Sequence, residues 1–155
     1  MYHEYSRILV PVDGSDEARL AYNKAVEVAK RHKARIFLAH IIDTRSLQTP
    51  TGFEGDFTDE IQKQTEALFN DYIAYANENE FFNIETIIEY GSPKMFISKE
   101  LPHLHNIDLI MIGATGLNAV ERLFIGSVSE YVIRNASCDV MVVRTDLSNE
   151  LPAKD

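Results

Sequence analysis

A single cysteine, Cys138, stands in the whole chain, so neither an internal disulfide nor a multi-cysteine metal site can be built from it. That usage suits a reducing compartment, and a cytoplasmic location is the expectation. No apolar run approaches the roughly 20 residues of a membrane-spanning helix. The opening Met1–Val10 has no basic stretch leading into a long apolar one, so no secretory signal is expected. Basic residues are scarce: 15 Lys and Arg face 24 Asp and Glu, a formal net charge of −9. Nucleic acid and anionic membranes both select basic surfaces, so neither is an expected partner. A polyanionic ligand would need a locally positive site. Two phosphate-binding signatures are also missing. There is no Gly-Lys dipeptide, which excludes the Walker loop, and no Gly-x-Gly-x-x-Gly, which argues against a dinucleotide enzyme.

What is present fits one domain. The chain has 155 residues, 45% of them hydrophobic, enough for a real core. Residues 1–145 read as that domain and 146–155 as a polar tail. Short apolar runs predict strands at 7–13, 34–43, 84–90, 107–113 and 139–145. Between them lie helical patterns. Ser15 is placed to cap the first helix, with Asp16 and Glu17 in its positive first turn and Ala18, Ala21, Ala25, Val28 and Ala29 on one face. Residues 44–57 read as a loop, with Thr58 capping a long helix whose apolar face is Ile61, Leu68, Tyr72, Ile73 and Ala76. Gly91-Ser92-Pro93 reads as a strand exit, a cap and a first-turn proline. Five alternations of apolar strand and helix imply a parallel sheet covered on both faces. Ligands in such sheets bind beyond the strand carboxyl ends, where Asp13, Asp43 and Gly113 fall.

The segment 113–132, GATGLNAVERLFIGSVSEYV, concentrates the chemistry. Gly113 and Gly116 allow a turn whose amides point one way, a nest for an anion. Gly126 allows close approach at the next helix start, where Ser127 adds a hydroxyl and the helix dipole is positive. Arg122 offers the positive charge that the acidic chain otherwise lacks. Plain turn and cap chemistry explains the same residues: Ser127 to Glu130 fits a capping box. Both readings stay open on the residues alone.

Other candidates are weaker. An Asp13 phosphoacceptor, as in a receiver domain, would want an aspartate after strand three and a lysine after strand five, but these strands end in Glu-Tyr-Gly and in Arg144. His103 and His105 lack a third metal ligand of fitting spacing. His40 reads as a packed or hydrogen-bonded histidine, and Tyr72, Tyr75 and Phe81 as core. Cys138 follows a helix C-terminus, the wrong end to activate a thiol. No general base emerges near the glycines, so binding, with slow hydrolysis at most, is the expectation.

Gly113-x2-Gly116-x9-Gly126-Ser127, with ILVPVDGS near the start and AHIID after strand two, resembles the universal stress protein family in its ATP-binding branch. The resemblance runs from Arg7 to Arg144. It implies an adenine-nucleotide alpha-hydrolase-like fold: a doubly wound, five-stranded parallel sheet of order 3-2-1-4-5, commonly in a homodimer. It implies ATP as cofactor, with or without Mg or Mn. By position, Pro11, Val12 and Asp13 would line the adenine and ribose end, and Ile41 would pack on the adenine. Gly113 and Gly116 would approach the ribose and phosphates, and Gly126, Ser127, Val128 and Ser129 would hold phosphates. The implied role is nucleotide-dependent regulation in stress response. A dimeric interaction module that needs no nucleotide, and a slow ATPase, are the alternatives. The last strand, at a sheet edge in that order, would pair with its own copy through Val140 to Val143.

Overall fold

The computed structural model describes residues 4–47, 54–114 and 125–144. The strands are β1 (Arg7–Pro11), β2 (Arg35–Asp43), β3 (Ile84–Gly91), β4 (Leu109–Gly113) and β5 (Asp139–Val143). They form one fully parallel sheet in the order β3-β2-β1-β4-β5. This is the order that the resemblance implied. Each strand lies within a residue or two of its predicted run. Gly91 extends β3 one residue past its predicted end, to the register point opposite Asp43, while β1 stops at Pro11, short of the predicted Asp13.

Strand alternation divides the core in two. Ile8, Val10, Ile36, Leu38 and Met111 face α1 (Asp16–His32) and α2 (Glu54–Glu78). Leu9, Phe37, Ala39, Ile41, Ile110 and Ile112 face the opposite layer, where Ile97, Leu101 and Val132 meet them. β1, β2 and β4 are buried on both faces, which is why their sequences are continuous apolar runs rather than alternating ones. β3 is an edge strand, with Glu85 exposed and Glu89 half-buried on it.

Helix α1 starts as expected: the Ser15 hydroxyl accepts from the Ala18 amide at 3.1 Å, and all five predicted face residues are buried. Two expectations for α2 are corrected. The helix begins at Glu54, so Thr58 lies inside it, and only 44–53 remains between β2 and α2. Its first part there is a 3-10 turn, Thr44–Leu47. The buried stripe of α2 is Thr65, Phe69, Tyr72 and Ala76, spaced four, three and four apart, with Ile61, Leu68 and Ile73 flanking it half-buried. Thr65 belongs in this apolar stripe because its hydroxyl donates to the Ile61 carbonyl at 2.9 Å.

Residues 93–105 are helical in three registers: α3 (Pro93–Met95), a π segment (Phe96–Glu100) and α4 (Leu101–His105). Pro102 supplies no amide to the Ser98 carbonyl and its ring crowds that turn; the widened π register just before it accommodates both. Helix α5 (Ser127–Asn135) packs beside this run on the same face. Among the described residues, no helix is long and apolar enough to cross a membrane.

Candidate functional site

The order β3-β2-β1-β4-β5 reverses direction between β1 and β4, and this is where the two helical layers part. At the carboxyl ends of β1, β2 and β4 lies a cavity of about 440 Å³. That is within the range, roughly 300–1,000 Å³, typical of small-molecule sites. Nine of the eleven residues singled out from the sequence line it: Pro11, Val12, Asp13, Ile41, Gly113, Gly126, Ser127, Val128 and Ser129. Gly116 and Arg122 lie outside the described residues, as does the tail 146–155.

The cavity has two unlike halves. Pro11, Val12, Ala18, Ile41, Ile97 and Ile112 give it an apolar wall. Opposite, the first turn of α5 and the end of β4 give it backbone polar groups. Asp13 sits between them, exposed, and its carboxylate accepts from the Ser15 amide at 2.9 Å. Gly14 turns the chain here at φ 87°, a left-handed conformation that glycine adopts without strain. Gly113 is required for a different reason. A Cβ there would meet the backbone of Glu17 at 2.9 Å, so the missing side chain lets the start of α1 close onto β4.

The start of α5 is built differently from the predicted capping box. Gly126, not Ser127, is the N-cap residue, and no side chain caps the helix. Glu130 pairs instead with Arg134 at 2.9 Å, one turn along the exposed face. The Ser127 hydroxyl is therefore not drawn back onto the helix, and the residue is exposed at the cavity. The first-turn amides of α5 retain their partial positive charge. Ser129 is buried, and its hydroxyl donates to the Gly113 carbonyl at 2.8 Å. Gly126 donates its amide to the Ala114 carbonyl at 2.9 Å. These two bonds fix the α5 start against the end of β4. What Ser129 can offer a ligand is its backbone and a lone pair, not its hydroxyl proton.

Several lining residues were not singled out from the sequence as site members. Ser15, Ala18, Pro93, Ile97 and Ile112 reach the cavity from four different elements or their caps, and nothing local to each marks it as a wall. His40 also lines it, with Nδ1 2.8 Å from the Val12 carbonyl. It is hydrogen-bonded, as read, and the bond ties the end of β2 to the loop after β1. The remaining candidates fall elsewhere. The His105 ring packs on Phe37, 5.0 Å between centroids. Tyr72 and Phe81 are core, with Tyr75 against them. Among the described residues, no group of His, Cys, Asp and Glu could hold a metal ion. Burial and the neighbouring carboxylates of Asp139 and Asp108 push the Cys138 thiol up to about 11, so it is a thiol rather than a nucleophilic thiolate near neutral pH.

The fold and cavity define a class: a doubly wound α/β domain with a ligand-sized site at its switch point. Residues 4–144 match the universal stress protein family, and the chain belongs to that family. A Staphylococcus aureus (strain USA300) relative named for the same family is 47% identical over 149 residues, covering 96% of this chain and 88% of the relative. The structure of universal stress protein UspA from Lactobacillus plantarum superposes with a TM-score of 0.82 at 33% identity, covering 92% of this chain and all of that one. A universal stress protein solved in complex with cAMP superposes with a TM-score of 0.68 at 24% identity, over 93% of this chain and all of the other; this last likeness is one of fold.

Proposed function

We propose that this protein binds an adenine nucleotide, ATP in the first instance, and acts as a nucleotide-dependent regulator in stress response rather than as a fast enzyme. The observation that carries the reading is the two-sided cavity: an apolar slot leading to the uncapped first turn of an α-helix. A flat aromatic base suits the slot between Val12, Ile41, Ile97 and Ile112. Phosphates suit the α5 start, where free amides and the helix dipole favour negative charge. In this arrangement Pro11, Val12, Asp13 and Ile41 take the adenosine end. Gly113, Gly126, Ser127, Val128 and Ser129 hold the phosphate chain, with Gly116 and Arg122 joining from the preceding segment. A Mg or Mn ion, where present, would ride on the phosphates. The family membership and the cAMP complex of a fold neighbour support a nucleotide as the ligand.

The reading is tested by calorimetric titration of the full chain with ATP. Wild type is expected to bind, and Gly126→Val to lose at least about tenfold in affinity, about 1.4 kcal/mol, because a branched side chain enters the phosphate path. Gly126 has φ −61° and ψ 157°, a conformation open to valine, so the variant is expected to fold. Unchanged affinity in that variant would remove the α5 start from the site.

A further inference from the structure

The cavity described above has an electrostatic gap. Asp13 is the one residue with a formal charge at neutral pH among its described lining residues, and the chain as a whole carries −9. Arg122 lies outside the described residues; among the described lining residues, helix amides alone stand against both Asp13 and a phosphate chain. A cation stands next in the chain to one lining residue. Lys94 follows Pro93, which lines the cavity, and its ammonium lies 5.8 Å from the centre of the Tyr131 ring on α5. Tyr131 is four residues after Ser127, on the same face of α5 and about 6 Å along its axis. Lys94 thus links the 93–105 run to the helix whose start is assigned to phosphates.

Local physics does not explain this lysine. It is the second helical residue after the Ser92 cap, where the helix dipole disfavours a cation. Among the described residues it has no carboxylate partner; the Tyr131 ring face is its contact. Tyr131 is itself held, its hydroxyl 3.3 Å from the Met95 sulfur. The arrangement keeps an ammonium near the cavity without neutralising it.

We propose that Lys94 is a specificity-determining residue of this site: it leaves the Tyr131 ring to contact the phosphate chain of the bound nucleotide, and so favours ATP over adenosine. This rests on the reading of the cavity as a nucleotide site. Its signature is a change in the ratio of two affinities, which a merely structural role would not produce.

The test is calorimetry of the full chain with ATP and, separately, with adenosine, at low and at moderate salt. Lys94→Gln is expected to weaken ATP about tenfold and flatten its salt dependence, while adenosine stays within about twofold, as for loss of one charge-assisted contact. Lys94→Arg, which keeps the charge, is expected to retain most of the preference. An unchanged ATP-to-adenosine ratio in Lys94→Gln overturns the assignment, and so does an equal loss of both ligands. If wild type binds neither ligand, the reading of the cavity itself falls. Wild-type binding with an unaltered ratio in the variant removes Lys94 alone.

Discussion

Asp13 holds its own loop and at the same time lines the cavity. Its carboxylate holds the Ser15 amide, and it is exposed at the cavity. A carboxylate beside a triphosphate would repel it, so the proposed arrangement puts Asp13 at the adenosine end. Asp13→Ala is accordingly expected to weaken ATP, ADP and AMP by similar factors in parallel titrations. A loss confined to ATP and dependent on added magnesium would place Asp13 on a metal instead. The serines of α5 divide labour in a way their spacing does not reveal. Ser129 Oγ is committed to the Gly113 carbonyl, while Ser127, two residues earlier, is left exposed at the cavity. Which serine does which depends on the angle at which α5 meets β4.

At the scale of elements, α1 and α2 are joined by a seam of tyrosines. Tyr22 is buried edge-on against Tyr72, 4.7 Å between centroids, and its hydroxyl donates to the Tyr72 carbonyl. The Arg19 guanidinium lies over Tyr72 and Tyr75 and pairs with Asp71 at 2.9 Å. Burial raises the phenols of Tyr22, Tyr72 and Tyr75, that of Tyr72 to about 12, and the hydrogen bond to Asp139 raises Tyr5. A raised folded-state pKa means that the native protein holds its proton more tightly than the unfolded chain does. This contribution to stability is fully present below pH 10 and is lost as pH rises through about 12. In an alkaline titration followed at the tyrosinate absorbance, four of the seven tyrosines are expected to ionise later in the native protein than in urea. Titration of all seven near pH 10 while the chain remains folded would contradict the seam.

At the scale of the molecule, the two sheet edges are unlike. β3 carries exposed Glu85 and half-buried Glu89, charges that discourage pairing with another strand. β5 offers Val140, Met141 and Val142, half-buried and uncharged, beside β4 on one side only among the described residues. We propose that a two-fold axis beside β5 pairs it with its own copy and closes both edges. Light scattering at micromolar concentration is expected to give a dimer for wild type and a monomer for Val142→Lys. Far-UV circular dichroism separates dissociation from unfolding. A wild-type monomer, or a variant that stays dimeric, would sink this interface.

The sequence by itself determined the element order, the parallel sheet and the family. These rest on short-range signals: apolar runs of strand length, Ser15 and Ser92 at helix starts, and glycines at fixed spacing. It also determined most of the cavity, because nine of its lining residues sit at strand ends or in the glycine segment. Tertiary structure alone decided the rest. The α2 stripe turned to Thr65 and Phe69 because helix rotation is set by what the sheet presents, and a threonine that bonds its own helix costs little there. Gly126 displaced Ser127 as the cap because Ser129 is pulled onto the Gly113 carbonyl, and that bond spans sixteen residues of chain. Lys94 meets Tyr131 only because two helices from different parts of the chain pack side by side. Local sequence carries local preference; which side chains meet across a cavity is fixed by the packing of layers.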